Sequence, residues 1–431
     1  MIETATKQMT LDGCVVAPPI DLTSTFTGNL SLPIHRWFRY SAGFSALWVR
    51  ELIVRERKNE RRNVLDPFAG SGTVLLEGES CNVHAAGIEA HPFVARIAKA
   101  KLHWREDPDD FYNYGLKILK QAESEKADIS VYPKLIHKCF PAEPLSKLNL
   151  LHSAWETEAD NSPFSELSWL ALASILRECS PVGTAQWQYV LPNKTKSKPL
   201  DPFKAYKSKI KLMVNDMRLR QRSALGLRAI LQFGDARECS GIADGWADLV
   251  ITSPPYANNY DYADATRLEM SFFREISEWG DLQDSVRIYL IRSCTQHAAK
   301  SNKNVYKILS DPILNAIHGE IEETCKNLDN ERSKHGGQKP YHTMIAAYFA
   351  DMAKMWLSLR RATSKDALIC FVIGDSAPYG IYVPVYKWLG DLAIAAGFKS
   401  YTFEKTRDRN VKWKNRKHRV PLCEGRLWIR G

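Results

Sequence analysis

A short apolar run at residues 63–65 passes into Asp66-Pro-Phe-Ala-Gly-Ser-Gly-Thr73 and, without a linker, into a helical stretch at 74–81. Few chain geometries satisfy that order. A strand must end, the chain must turn sharply where Gly70 and Gly72 permit it, and a helix must begin at once. The free N–H groups at such a helix start carry partial positive charge and suit a ligand carboxylate or phosphate. Asp66 adds a carboxylate able to accept from an ammonium group, and Pro67, Phe68 and Thr73 shape the turn around it. A glycine turn alone fits many α/β ligands, so the remaining strand ends must narrow the choice.

Three more apolar runs end in the same manner. Residues 83–88 stop at Glu89 and lead to a helix near 92–101; residues 247–252 stop at Ser253-Pro-Pro-Tyr256; residues 367–373 stop at Gly374-Asp375. Apolar strands alternating with helical patterns predict an α/β fold, a Rossmann-like doubly wound core whose ligands sit at the C-terminal strand ends. Glu89 falls about twenty residues after the glycines, where a carboxylate accepts the hydroxyls of an adenosine ribose. Asp235, within Phe233-Gly-Asp-Ala236, offers a third acceptor suited to an adenine amino group. Any of these carboxylates also suits a solvated loop. Taken together, an ammonium acceptor, a carboxylate site and a ribose acceptor match S-adenosylmethionine.

The run ending in Ser253-Pro-Pro-Tyr256 is the sharpest signal. Two consecutive prolines lack N–H donors, so the chain leaves the sheet ladder and carbonyls near the turn stay available as acceptors. In combination, residues 66–73 and 253–256 closely resemble the amino-methyltransferases of DNA, whose signature is Asp/Asn/Ser-Pro-Pro-Tyr/Phe. The serine form preceded by Thr252 resembles the cytosine-N4 branch. Residues 35–53 are similar to the helical segment that closes over the methionine end of the cofactor, and residues 403–430 to the terminal hairpin. The resemblance implies a Rossmann-like methyltransferase core with inserted, mostly helical segments, S-adenosyl-L-methionine as cofactor and no metal. It implies catalytic roles for Ser253, Pro254, Pro255 and Tyr256, and cofactor contacts from Asp66, Pro67, Phe68, Gly70, Gly72, Thr73, Glu89 and Asp235. In this reading the Ser253 hydroxyl and the Pro254 carbonyl accept the two hydrogens of a flipped base's amino group while Tyr256 stacks on the ring. Adenine N6 and RNA guanine N2 remain alternative targets, and a catalytically silent DNA-binding module is the alternative of another class. A cytosine-C5 enzyme would need a nucleophilic cysteine, generally beside proline, and no Pro-Cys dipeptide occurs.

The long intervals between motifs predict ordered inserts. The expected organisation is a cofactor-binding half at 30–104, a helical and basic insert at 105–228, the catalytic strand and loop at 229–262, a second insert at 263–340, and the remaining core with a basic hairpin at 341–431. Net charge is +10, which favours a polyanionic partner. Double-stranded DNA is expected, contacted by Lys194, Lys196, Lys198, Asn258, Tyr260, Arg409, Lys412, Lys414, Arg416 and Lys417, with a cognate restriction endonuclease as a further partner. Each single lysine also suits a solvated face. The nine cysteines contain no Cys-x-x-Cys pair, which argues against a disulfide framework or zinc site. No apolar run approaches the ~20 residues a bilayer requires, and residues 1–19 lack a secretory pattern, so a cytoplasmic protein is expected.

Overall fold

The computed structural model describes residues 26–124, 126–184, 189–195, 198–223, 226–297, 304–337, 339–409 and 420–431. The strands, in chain order, are β1 (Asn63–Asp66), β2 (His84–Glu89), β3 (Val182–Thr184), β4 (Val190–Thr195), β5 (Ile230–Phe233), β6 (Ala247–Thr252), β7 (Thr363–Gly374), β8 (Ser400–Arg409) and β9 (Leu422–Arg430). The four apolar runs and the terminal hairpin form as expected, whereas β3, β4 and β5 were not foreseen. Seven of them make one sheet in the order β5-β2-β1-β6-β7-β9-β8. β9 alone runs against its neighbours β7 and β8; the other pairings are parallel. The chain steps outward from β1 through β2 to β5 and then crosses to β6 on the other side of β1. That reversal creates a crevice at the C-terminal ends of β1 and β6. The α/β expectation holds, and the fold is Rossmann-like.

Side chains alternate across the sheet with period two, and helices bury both faces. On β7, Leu368, Cys370 and Val372 pack with residues of α1 (Ala46–Arg57), while Ile369, Phe371 and Ile373 pack on the opposite side. That second layer is built from α13 (Tyr341–Ala362) and α14 (Val385–Ala395). Between α1 and α13 the chain forms α2 (Thr73–Ser80), α3 (Pro92–Leu102), α4 (Pro108–Ala122), α5 (Lys134–Cys139), α6 (Ala142–Glu158), α7 (Pro163–Cys179), α8 (Pro202–Gln221), α9 (Arg267–Phe272), α10 (Leu282–Ser285), α11 (Val305–Leu309) and α12 (His318–Lys334).

The segment between α3 and β5 is mostly helical, and its helix starts are written locally. Asp107-Pro108, Ser162-Pro163 and Asp201-Pro202 each place a capping oxygen before a proline whose missing N–H costs nothing in the first turn. The three side chains accept from the N–H groups of Asp110, Ser165 and Lys204, at 2.9, 3.2 and 3.0 Å. This insert has its own core, in which Trp169, Phe111, Tyr206 and Ile210 join Phe93 and Ile97 of α3 and Ile34, Trp37 and Phe38. An ionic clasp fastens it to the N-terminal segment. Asp216 of α8, buried to 1% exposure, accepts from the Ile34 N–H (3.3 Å), the Arg36 guanidinium and Trp37 Nε1 (3.0 Å). Every described cysteine is a free thiol. Among the described residues no helix is long and apolar enough to cross a membrane.

Candidate active site

At the crevice, the ends of β1, β2, β5 and β6 bound a cleft of about 600 Å³, part of it open to solvent. The glycine turn forms its floor. Gly70 and Gly72 have φ of 53° and 86°, a left-handed backbone that favours glycine. A Cβ at Gly70 would come within 3.2 Å of the Tyr40 ring, so this aromatic lies directly against the turn. Tyr40 is held there through its own segment: His35 Nε2 and Arg50 Nε meet the buried Glu77 carboxylate of α2 at 2.7 and 2.6 Å.

The three carboxylates expected for the cofactor take different positions. Glu89 lines the cleft at the end of β2, where its oxygens accept from the Gly70 N–H (2.7 Å) and the His91 N–H (2.8 Å). Burial nonetheless pushes its pKa up to about 7. Asp66 lies behind the wall with no exposed surface. Its Oδ1 accepts from the Phe68 N–H (3.0 Å) and the Thr252 hydroxyl (2.5 Å), while its Oδ2 has no partner among the described residues. Burial raises this carboxyl to about 7 as well. Asp235 also lines the cleft, yet Arg237 grips its carboxylate through Nε (2.8 Å) and Nη2 (2.5 Å). Its ability to accept further is therefore restricted to lone pairs that Arg237 leaves. Pro67 and Phe68 line the cleft, and Thr73 is buried as the first residue of α2.

The proline turn faces the same cleft through Ser253 and Pro255. The Ser253 hydroxyl donates its proton to the Val372 carbonyl at 3.1 Å, which leaves its oxygen able only to accept from anything else. The Pro255 carbonyl accepts from the Tyr348 hydroxyl of α13 at 2.9 Å. Among the described residues no donor reaches the Pro254 carbonyl. Tyr256 is fixed at both ends: its N–H donates to the Tyr262 hydroxyl at 3.2 Å, and the Arg409 guanidinium lies 5.3 Å from its ring centroid.

Residues beyond the tetrapeptide brace the loop that carries it. Tyr260 is buried against Tyr262, with ring centroids 4.4 Å apart, and lies 5.6 Å from Tyr189 of the first insert. The Tyr189 hydroxyl accepts from the Asp261 N–H at 2.7 Å. Asn258, half-buried, accepts from the Tyr260 N–H at 3.2 Å, which makes it part of the loop's own framework. Asp261, Cys294 and His297 come together as a cluster able in type to hold a metal. Arg287, however, meets the Asp261 carboxylate at 2.7 Å in the same buried space, so a guanidinium already supplies the positive charge.

Of the residues expected to contact DNA, Lys194 and Lys198 are exposed, whereas Lys196, Lys412, Lys414, Arg416 and Lys417 lie outside the described residues. Arg409 is engaged inward, donating to the Asp375 carbonyl at 2.8 Å as well as covering Tyr256. The basic tract of α8 is partly taken up by the fold. Arg220 donates to the Leu76 carbonyl at 2.6 Å, Arg218 pairs with Asp109, and Lys209 lies 3.6 Å from Glu178. α2 starts at the cleft and descends, and Leu76 lies about one turn below its start.

Tyr262, which ends the segment 258–262 that follows the tetrapeptide, lines the cleft, and several further cleft residues were not singled out by sequence reasoning: His91, and Tyr289, Leu290 and Ile291 of the second insert. The last three form a wall held by the Arg287–Asp261 pair, by Asn259 Oδ1 accepting from the Thr295 N–H (2.9 Å), and by Arg292 on Asp351 (2.7 Å).

Residues 31–100 match the family model of the N6/N4 methyltransferases, described as DNA methylase. The Type II methyltransferase M.BsoBI of Geobacillus stearothermophilus is 26% identical over 452 residues, spanning 92% of this chain and 86% of the relative. The Type II methyltransferase M.AvaI of Nostoc sp. (strain PCC 7120) is 25% identical over 409 residues, 87% of this chain and 81% of the relative. Among solved structures, the rRNA methyltransferase aviRa from Streptomyces viridochromogenes aligns over 94% of this chain and 92% of its own, at 11% identity and a TM-score of 0.29, a likeness too distant to carry an argument.

Proposed function

We propose that this chain, a DNA methyltransferase of the N6/N4 amino-methyltransferase family, methylates N4 of cytosine on a base turned out of the duplex. The observation that carries the reading is the pair of acceptors at the end of β6. The Ser253 hydroxyl has its proton committed to Val372, and the Pro255 carbonyl is taken by Tyr348. The Ser253 oxygen and the Pro254 carbonyl thus remain to accept the two hydrogens of an exocyclic amino group. The lone pair of cytosine N4 is delocalised into its ring, and two such acceptors favour the pyramidal, nucleophilic form of the nitrogen. Tyr256, backed by Arg409, offers a face on which the extruded base stacks. Serine at the head of the tetrapeptide, following Thr252, supports cytosine over adenine.

The cofactor of the family is S-adenosylmethionine, which supplies an electrophilic methyl group when bound. The residues present fit it. Asp66 Oδ2 is a buried acceptor without a partner, suited to the ammonium of the methionine end. The left-handed Gly70 and Gly72 bring backbone close to the cleft, and Glu89 stands at the end of β2 for the ribose hydroxyls. Kinship with Type II methyltransferases supports a place in a restriction–modification system, with a cognate endonuclease as functional partner.

Mass spectrometry of nucleosides from the DNA of cells expressing the chain, beside a Ser253→Ala control, tests the reading. N4-methylcytosine should appear with the intact chain and be strongly reduced with the variant. N6-methyladenine in its place would move the target to adenine, and unmodified DNA would refute the proposal.

A further inference from the structure

The catalytic turn must meet a duplex, and the Tyr348 contact shows which part of the second insert stands beside it. Helix α13 precedes β7, which is parallel to β6, so α13 descends along the sheet and its N-terminus lies at the edge where the strands end. Tyr348, which bonds the Pro255 carbonyl, is seven residues into that helix. At 1.5 Å per residue, Tyr341 lies about 10 Å beyond the catalytic turn. The turn joining α12 to α13 is therefore carried past the cleft mouth, on the side from which an extruded base has to enter.

This turn is also tied to the catalytic loop. Ser376, just after β7, donates to the Ala257 carbonyl, and three residues later Tyr379 reaches the insert. The Tyr379 ring is stacked on His335 (centroids 4.5 Å, planes 4° apart) and meets Tyr341 edge-on at 4.7 Å; its hydroxyl donates to the Lys339 carbonyl at 3.2 Å. Tyr379 holds φ of 51°, a left-handed conformation uncommon outside glycine, so the contact is kept against a local backbone preference.

The turn carries an excess of basic residues, part of it answered from the end of α12. Residues 332–342 contain Arg332, Lys334 and Lys339 together with His335 and His342, and no acidic residue. Asp329 lies beside Arg332 (3.8 Å) and His342 (3.3 Å), and Glu331 beside His335 (3.8 Å) as well as Lys334. Lys334, His335 and Lys339 are exposed, and around Gly336 and Gly337 there is open space. Lys334 has one local partner, Glu331 at 2.5 Å on the exposed helix face, a weak pairing that a phosphate can replace. The cations of α8, by contrast, include Arg218 and Arg220, which are bonded to Asp109 and to the descending part of α2.

We infer that the α12–α13 turn, through Lys334 and Lys339, is a phosphate-contacting edge of the DNA surface, lying on the duplex backbone beside the extruded base. This rests on the reading of the chain as a DNA methyltransferase. The test is binding of a fluorescent mixed-sequence DNA duplex over a range of salt concentrations, for the full chain and for Lys334→Gln/Lys339→Gln. Each lost phosphate contact lowers the slope of log affinity against log salt by about 0.9, so the double variant should lose about 1.8. Its affinity for S-adenosylmethionine and its melting temperature should match those of the unaltered chain. An unchanged slope, with the unaltered chain binding and methylating DNA, would overturn the inference and leave the enzyme assignment standing. Failure of the unaltered chain to bind any duplex would overturn both.

Discussion

Lowering the pH from 8 to 6 should weaken S-adenosylmethionine binding by about tenfold, because Glu89, the acceptor proposed for its ribose, must be ionised to accept from both hydroxyls. The Glu89 carboxyl titrates near 7, against an ordinary 4.5, since burial at the end of β2 outweighs the N–H groups of His91 and Gly70. With that value, roughly nine-tenths of the molecules carry the ionised form at pH 8 and roughly one-tenth at pH 6. Asp66 is raised to about 7 by the same cause. If its unpartnered Oδ2 takes the ligand ammonium, the dependence steepens toward a hundredfold. Calorimetric titration at pH 6, 7 and 8, in buffers of different ionisation enthalpy, measures both affinity and protons released. Glu89→Gln should remove one proton from that count and weaken binding at pH 8. A constant Kd between pH 6 and 8 with no proton release would refute the reasoning. The stability of the ligand-free protein should move in the opposite sense. Folded Glu89 and Asp66 retain protons that the unfolded chain, with values of 4.5 and 3.8, has already released. Their contribution is full below about pH 4 and is lost as the pH rises through 7. These groups therefore lower the melting temperature at pH 8 relative to pH 6, while the stabilisation added by saturating cofactor grows.

Two substitutions separate the chemistry from the scaffold. Tyr348→Phe removes the donor to the Pro255 carbonyl; kcat should fall by about tenfold, the loss of a hydrogen bond of ~1.4 kcal/mol, while the Kd for S-adenosylmethionine stays unchanged. Equal losses in both would assign Tyr348 a merely structural role. Asp216→Ala strips the acceptor from Ile34, Arg36 and Trp37 and should cost about 3–5 kcal/mol in denaturant unfolding; a loss below ~1 kcal/mol would show that the clasp carries little stability.

The parts of this molecule legible in its sequence are those whose physics is local. A glycine turn after an apolar run, a proline pair after another, and aspartate or serine before proline all act within a few residues, and each appears where those residues predict. The cleft wall at Tyr289–Ile291 is different: its place depends on Arg287 finding Asp261 across 26 residues, a pairing with no local signature. Tyr348 reads as an ordinary aromatic of a buried helix, and only the fold shows its hydroxyl at Pro255. Asp216 did carry a signal. It stands on the apolar stripe of α8 formed by Ile210, Met213 and Met217, and an acid among core positions requires a buried partner. The basic tract on the same helix misleads in the other direction, because cations used to tie helices together look in sequence like cations facing a ligand.

Both inserts attach to the core at the loop following the tetrapeptide, and Asp261 is where they meet. Its N–H is held by Tyr189 of the first insert and its carboxylate by Arg287 of the second. Burial alone would raise this carboxyl, but hydrogen bonds from His297 and Arg287 keep it at about 2. The pair thus remains ionised through the whole interval in which Glu89 and Asp66 change state. Breaking it would leave a buried charge unpaired, so the loop has little freedom to rearrange with pH. The acceptors proposed at Ser253 and Pro254, a hydroxyl and a carbonyl, do not titrate in this range. The pH sensitivity of the enzyme should therefore reside in cofactor binding rather than in the chemical step: with cofactor and DNA saturating, kcat should stay nearly level between pH 6 and 8 while the KM for S-adenosylmethionine rises toward acid. A fall in kcat that tracks the rise in KM would mean that the buried bridge at Asp261 does not isolate the base site from the protons of the cofactor site.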